Sequence, residues 1–220
     1  MLGIPAFPLL VRAGRPVALS WFMTASRSLT RDLLHGALGF AAVSLASFSI
    51  WAFAAGAFRQ LGGEPAMYAA IAAVFLGLSG LVLGPLAGGV GRFYRVFLPA
   101  FGAYALLWSV AWFALPNRGG EWLGALLGCA AFAGLARWRL GSRAGWLALF
   151  AGFFVLHTAG YFAGSWAMYD FWLARFKAGN PDGLTGPQAA VFAKLSWGLC
   201  YGLGFGAGLG WVFHRARPVA

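Results

Sequence analysis

The side chains best suited to chemistry lie in one long apolar stretch. His157 is followed by Tyr161 four residues later and by Ser165 eight residues later. In an α-helix this spacing places all three on one face. An imidazole beside hydroxyls can hydrogen-bond a polar substrate or relay a proton, and burying it in a membrane is costly, so it marks a candidate site. The alternative is a neutral histidine that donates to a carbonyl or serine of a neighbouring helix.

Lys194 is the fourth candidate, in the last apolar stretch of the chain. It lies about 9 Å into that stretch at 1.5 Å per residue. A lysine side chain can reach the membrane surface from that depth. We therefore expect Lys194 either to extend to the interface or to face His157 and Tyr161 in a pocket. With Ser165, these residues form the predicted substrate-binding set.

Composition identifies the environment of these residues. Of 220 residues, 61% are apolar and 10% are charged. Soluble domains contain about 45–50% apolar and about 25% charged residues, and a short soluble domain could not bury this much apolar surface. Disorder is excluded because disordered chains have low hydrophobicity. The sequence predicts an all-α integral membrane protein.

Six apolar stretches are long enough, or nearly so, to cross a bilayer as helices, which needs roughly 17–25 residues. Helices are favoured over strands because a helix satisfies its own backbone and no segment alternates in polarity. The stretch at 122–138 is the weakest, and a re-entrant or tilted hairpin with the third span is the alternative there. The predicted spans are residues 34–58, 67–89, 96–115, 122–138, 146–168 and 189–213.

The flanking segments are expected outside the hydrocarbon. Residues 1–33 mix aromatic and arginine side chains, as in a helix lying in the headgroup region, and they precede the transmembrane domain at 34–214. Residues 215–220 form a tail. The connection at 169–187 reads as a short amphipathic helix followed by turn residues.

The charges predict an orientation. The net charge is +11. With the N-terminus in the cytoplasm, eleven of the sixteen basic residues fall on the cytoplasmic side, four fall outside, and Lys194 lies within a span. Because basic residues concentrate in cytoplasmic loops, both termini are expected in the cytoplasm, with the protein in a cell inner membrane. This topology accounts for the positive charge, and no nucleic-acid partner is predicted.

Glycine is abundant, with 33 residues, and it recurs at four-residue intervals within the spans. This spacing places the glycines on one helix face, where two backbones can approach closely. Packing within the bundle is the first expectation. A homo-oligomer interface or a groove for a lipid or ligand is the alternative. The predicted packing residues are Gly80, Gly84, Gly88, Gly160, Gly164, Gly198, Gly202, Gly206 and Gly210.

Metal and cofactor sites are not predicted. Cys129 and Cys200 lie in separate apolar runs without a third ligand nearby in the sequence. His35 and His214 fall near the inner interface, where a haem between them would sit only at the rim. We therefore expect neither a metal nor a cofactor.

Three function classes remain open from the sequence. The first is a transporter, channel or transporter subunit for a small molecule or ion. The second is a non-catalytic structural or assembly subunit of a larger membrane complex, favoured by the scarcity of charge at membrane depth. The third is a membrane enzyme. A rhomboid-type protease has the same six-span topology, but span 122–138 lacks a serine and span 189–213 lacks a histidine to activate it.

Overall fold

The computed structural model describes residues 28–217, and this part of the chain is helical with no strand. It forms the predicted all-α membrane bundle. The six helices are α1 (Leu29–Phe58), α2 (Gly63–Ala87), α3 (Val90–Ala114), α4 (Arg118–Leu140), α5 (Trp146–Lys177) and α6 (Gly186–Arg215). Two of them contain a π-helical segment, Ile50–Ala54 in α1 and Trp166–Leu173 in α5.

The helix ends follow from local sequence. The Ser28 side chain accepts a hydrogen bond from the Arg31 backbone at the start of α1, and Thr185 and Gln188 form a capping box on α6. Such caps satisfy amide groups that have no partner within the helix. Helix α2 ends at Gly88, whose φ of +83° suits glycine and allows a two-residue turn into α3.

Several helices differ in extent from the predicted spans. Helix α1 begins at Leu29, so the last residues of the predicted 1–33 segment belong to it. The rest of that segment, residues 1–27, lies outside the described residues, as do residues 218–220 of the predicted tail. Helix α4 is a continuous helix of 23 residues, longer than the predicted stretch at 122–138. Helix α5 continues through its π-helical segment, so the following connection begins only at Ala178.

Five of the helices, α1 to α5, are long and apolar enough to cross a membrane. Helix α6 is 30 residues long, but glycine and polar side chains dilute its hydropathy. It runs antiparallel to α1 over most of its length. Asp32 contacts His214 at one end of this pair, and Trp51 contacts Lys194 at the other. Helix α6 is therefore the sixth helix of the bundle, beside the five that have the length and apolar character of membrane spans.

The six helices form a closed ring in chain order, each packed against the next, and α6 packs against both α5 and α1. The start of α1, the end of α2 and the end of α6 meet at one end of the bundle. There Arg217 contacts both Asp32 and the backbone of Leu86. We call this the arginine-rich end. The opposite end, which carries Glu121 at the start of α4, is the acidic end.

Glycine backbones form the contact between α6 and α1. A Cβ atom on Gly206 would lie against the Gly36 carbonyl oxygen, and one on Gly210 against the Asp32 carbonyl oxygen. Gly202 faces the backbone of Ala41 in the same way. Without side chains at these positions, the two backbones reach van der Waals contact over several turns.

The second glycine face of α6 packs against α5. A Cβ on Gly160 would meet the Gly204 backbone, and one on Gly164 would lie 3.0 Å from the Trp197 carbonyl oxygen. Gly198 contacts Phe48 of α1, and Gly80 and Gly84 pack against Tyr94 and Val90 at the start of α3. Gly88, predicted with these residues, instead ends α2, and a Cβ on it would have only Arg92 in reach.

Six phenylalanines fill the middle of the ring, and each helix contributes one. Ring centroids lie 4.9 Å apart for Phe40 and Phe75, 4.6 Å for Phe132 and Phe153, and 5.1 Å for Phe153 and Phe205. All six are buried. We call this group the phenylalanine plug: Phe40, Phe75, Phe97, Phe132, Phe153 and Phe205.

The glycine contacts predict a large difference between two alanine substitutions. Gly206→Ala places a methyl group against the Gly36 backbone, and overpacking of this kind costs about 1–3 kcal/mol. Gly102→Ala adds a methyl group to a position on α3 with nothing within 4 Å, and alanine favours a helix over glycine by up to about 1 kcal/mol. Thermal unfolding of the purified variants in detergent should show a lowered midpoint for Gly206→Ala alone. Equal midpoints would contradict close backbone contact between α1 and α6.

Candidate functional site

Polar side chains form layers directly beside the phenylalanine plug. Helix α5 contributes Phe153, His157 and Tyr161 at steps of four residues. Helix α6, which runs in the opposite direction, contributes Phe205, Tyr201 and Trp197 at the same steps, so equivalent positions meet. Helix α3 adds a tyrosine and a tryptophan to the two layers beyond the plug. The polar layer is Tyr104, His157 and Tyr201, and the outer aromatic layer is Trp108, Tyr161 and Trp197.

The polar layer is held by a short hydrogen bond. The Tyr104 hydroxyl lies 2.6 Å from Nε2 of His157. The Tyr201 ring packs edge-on to the imidazole, with centroids 6.1 Å apart. His157 itself is fully buried, and both tyrosines are buried. Three polar side chains thus lie together in the interior of a mainly apolar bundle, and one hydrogen bond joins two of them.

Three buried polar atoms near this layer lack a hydrogen-bond partner among the residues that the structure describes. They are His157 Nδ1, Thr158 Oγ1 and Trp108 Nε1. His157 and Thr158 are consecutive on α5, and Trp108 follows Tyr104 by one turn of α3. Buried polar groups are nearly always hydrogen-bonded, because an unmet group costs about 1–3 kcal/mol. The region therefore has unused capacity to bind a hydrogen-bonding molecule.

The outer aromatic layer continues the polar character toward the acidic end. Tyr161 stacks on His157 with centroids 6.2 Å apart, and Trp197 stacks on Tyr201 at 5.2 Å. The Trp108 and Trp197 rings pack edge-on to Tyr161, each with centroids 5.8 Å away. Aromatic side chains that carry polar atoms therefore lie on the side of the polar layer that faces the acidic end, where Glu121 lies in the first turn of α4.

The other side of the polar layer is closed. Phe153 and Phe205 pack against His157 with centroids 6.0 and 5.6 Å away. Beyond them, Phe97, Phe93 and Phe213 continue the apolar core toward the arginine-rich end. The region around His157 is thus polar on one side and solidly aromatic on the other.

The four residues of the predicted substrate-binding set do not all come together. His157 and Tyr161 are adjacent, as their spacing predicted. Ser165 is half-buried one turn further along α5. Lys194 lies away from them: its Nζ donates to the Trp51 carbonyl at 3.0 Å and lies 4.7 Å from the centroid of the Trp51 ring. Lys194 therefore does not face His157 and Tyr161 in a pocket. Its partners are the carbonyl and the ring of Trp51, which lies in the π-helical segment of α1.

A second polar cluster lies at the arginine-rich end. The Asp32 side chain is 1% exposed, and its Oδ2 lies 2.7 Å from Nδ1 of His214 and 2.9 Å from Arg217. These contacts tie the first turn of α1 to the end of α6. The sequence did not predict this cluster. It offered one indication, because Asp32 is the one acidic residue among the arginines assigned to the cytoplasmic side.

Other site residues were also missed. Nothing in the sequence pairs Tyr104 with His157, which lies 53 residues further along the chain. Tyr201 lies on α6 and Trp108 on α3, and the sequence does not show that these helices surround His157. The one indication was their position, because each lies in the interior of a predicted span, as His157 does.

The histidines and cysteines do not assemble into a metal site. Among residues 28–217, no group of three or more His, Cys, Asp or Glu side chains could hold a metal ion. His35 Nε2 bonds the Val82 carbonyl at 2.9 Å, and His214 is engaged by Asp32. Cys129 is buried, and Cys200 is half-buried on the α6 side that faces α5.

Comparison with protein-family models, with curated proteins and with solved structures gives no match to this chain.

Two aspartates provide a matched test of the cluster at the arginine-rich end. Asp32→Asn removes a buried carboxylate that pairs with the Arg217 guanidinium and hydrogen-bonds the His214 ring, and hydrogen bonds to charged groups contribute about 1.5–3 kcal/mol. For a chain of this size, we therefore expect the thermal unfolding midpoint of Asp32→Asn in detergent to fall by about 4–10 °C.

Asp182→Asn is the control. Asp182 pairs with Arg175 at 2.8 Å at the exposed surface, and the hydrogen bonds from Arg175 hold the pKa of this carboxyl below its ordinary value. Exposed pairs contribute little to stability. We expect Asp182→Asn to leave the unfolding midpoint unchanged and Asp32→Asn to lower it. Two unchanged midpoints would mean that Asp32 does not help to hold α1 against α6.

Proposed function

We propose that this multi-pass membrane protein is a carrier for a small molecule, and that the polar layer is its substrate-binding site. The observation that carries the proposal is the group of unpartnered polar atoms, His157 Nδ1, Thr158 Oγ1 and Trp108 Nε1. Intramembrane polar groups are costly and usually serve transport or proton relay. A bound substrate would satisfy the groups that the protein leaves unsatisfied.

The chemistry of the site favours an uncharged substrate with both donor and acceptor atoms. The polar layer contains an imidazole and two phenol hydroxyls, and none of its three members is a charged residue. An inorganic cation would need oxygen ligands or a counter-charge. Trp108 can only donate, while a tyrosine or threonine hydroxyl both donates and accepts. Small polyols and amides match this set.

The phenylalanine plug gives the direction of access. Tyr161 and Trp197, which carry polar atoms, lie between the polar layer and the acidic end, whereas the plug blocks the path to the arginine-rich end. We propose that this arrangement is a closed form of the carrier, and that an opening at the acidic end admits the substrate. Movement of the plug would then open the other side, as alternating access requires.

The orientation belongs to the same proposal. The described arginines at the arginine-rich end include Arg31, Arg92, Arg137 and Arg217, whereas the acidic end carries fewer basic residues. By the positive-inside rule, we place the arginine-rich end, with both chain termini, in the cytoplasm of a cell with the protein in its inner membrane.

A non-catalytic structural subunit is the second candidate. The observation that favours it is the filled interior: the six plug phenylalanines and His157 are all buried. A bundle that never opens would serve a larger complex through its outer faces. The two candidates differ in whether water reaches His157.

Water accessibility distinguishes them. In a background with Cys129→Ala and Cys200→Ala, single cysteines are placed at positions 161, 157 and 153 of α5. A membrane-impermeant thiol reagent is then added to intact cells. A carrier open to the acidic end should label strongly at 161, several-fold less at 157, and not at 153, because Phe153 lies in the plug.

The control is Val155→Cys, at similar depth on α5 but 62% exposed on the outer face of the bundle. It should remain unlabelled, because lipid excludes the reagent. Ala178→Cys, beyond α5, should label from outside and Ser142→Cys, between α4 and α5, should not. Protection at both 157 and 161 would reject the carrier and favour the structural subunit. Reversed labelling of 178 and 142 would reject the orientation.

A transport measurement tests the polar layer directly. Proteoliposomes that contain the full chain are exposed to glycerol or urea, and their swelling rate is followed by light scattering. Tyr104→Phe removes the hydroxyl that bonds His157. One lost hydrogen bond at about 1–1.4 kcal/mol predicts a rate about five- to tenfold lower.

Tyr94→Phe is the matched control on the same helix. The Tyr94 hydroxyl donates to the Leu76 carbonyl at 2.9 Å, away from the polar layer. Its swelling rate should equal that of the wild type. A wild-type rate no faster than that of protein-free liposomes for both solutes would exclude small polyols and amides as substrates.

A further inference from the structure

The first helix carries a groove on the outside of the bundle, at the arginine-rich end. It has a volume of about 510 Å³. The exposed side chains of Leu34 and Leu38 line it, together with His35 and Gly39. Ser28, Thr30 and Arg31 line the end of the groove at the start of α1. The groove is therefore mainly apolar along its length, with the His35 ring as its one polar side chain there, and carries one arginine at its end.

The base of the groove is formed by close packing between α1 and α2. A Cβ on Gly39 would lie 2.9 Å from Val82 and 3.0 Å from Leu83, so these two α2 side chains fill the space beside Gly39. The neighbouring His35 ring is fixed by its hydrogen bond to the Val82 carbonyl. The groove is thus an open surface feature along Leu34 and Leu38, closed at its base by α2.

The length of the groove matches one leaflet of a bilayer. From residue 28 to residue 39, α1 rises about 16 Å at 1.5 Å per residue. Half of a hydrocarbon core of about 30 Å is about 15 Å. A groove that begins at a membrane surface and ends near the midplane fits one lipid molecule and is too long for a headgroup alone.

The charge at the groove selects the headgroup. Arg31 is exposed, and no carboxylate lines the groove. The adjacent Asp32 faces the interior, where it pairs with His214 and Arg217. The arginine is therefore free to pair with a phosphate, which guanidinium groups bind in a bidentate manner.

We propose that this groove binds one anionic glycerophospholipid, with its phosphate at Arg31 and an acyl chain along Leu34 and Leu38. The site is separate from the polar layer and does not depend on the carrier function. The bound lipid covers the contact between α1 and α2, so it should also stabilise the bundle.

Native mass spectrometry of the delipidated full chain tests the proposal. Dioleoylphosphatidylglycerol and dioleoylphosphatidylcholine, which share acyl chains, are titrated separately. The wild type should bind one phosphatidylglycerol in preference to phosphatidylcholine. Arg31→Gln should reduce that preference about fivefold, the effect expected for one arginine near an anionic surface. Arg31→Lys keeps the charge and should retain most of it.

Arg139→Gln is the control at the same end, because Arg139 is also exposed but lies on α4 beside Trp138. It should leave the preference unchanged. An equal loss in both variants would mean diffuse charge attraction and would overturn the site. Equal binding of the two lipids by the wild type would also overturn it.

Two further outcomes assign the groove to something else. If inorganic phosphate displaces the bound phosphatidylglycerol, the site takes free phosphate and the lipid is rejected. A photo-crosslinker at position 38 should react with lipid. Reaction with a second copy of the chain, or with residues 1–27 of the same chain, would assign the groove to that occupant and overturn the proposal.

Discussion

Close backbone contact between α6 and its two neighbours is the interaction on which the rest of the structure depends. In a bilayer, apolar side chains gain nothing by leaving lipid, so helices associate through dispersion between closely packed surfaces. Gly206 meets Gly36 on one side of α6, and Gly204 meets Gly160 on the other. These contacts bring α1, α5 and α6 together at their glycines and leave the large aromatic side chains to point into the ring. The phenylalanine plug and the polar layer both follow from that geometry.

The placement of polar groups follows a consistent division along the bundle. Charged residues are confined to its ends, where Asp32 pairs with Arg217 and Lys194 bonds the Trp51 backbone. The interior retains only neutral groups, and these are grouped in one layer rather than scattered. An unsatisfied imidazole nitrogen in that layer, beside a fully apolar plug, is the feature from which we propose the carrier function. A purely structural core would be expected to satisfy or omit such groups.

Much of the fold was predictable from the sequence, and the failures have identifiable causes. Span number and glycine packing depend on composition and local spacing, so α4 and α6 were found despite weak hydropathy. The pairing of His157 with Tyr161 was predictable because both lie on one helix. The sequence left two placements open for Lys194, the interface or a pocket, because its partner, the Trp51 carbonyl, lies 143 residues away in the sequence. The role of Gly88 was misassigned because four-residue spacing does not distinguish a helix face from a helix end.

The sequence by itself determined that the chain is an all-helical membrane protein with close-packed helices and with His157 at membrane depth, because hydropathy, length and four-residue spacing act within single segments. The tertiary structure alone decided that Tyr104 bonds His157, that Asp32 joins the two ends of the chain, and that one phenylalanine from each helix closes the centre. These contacts depend on which helices become neighbours in the ring. That order arises from the packing of all six helices together, which no local pattern encodes.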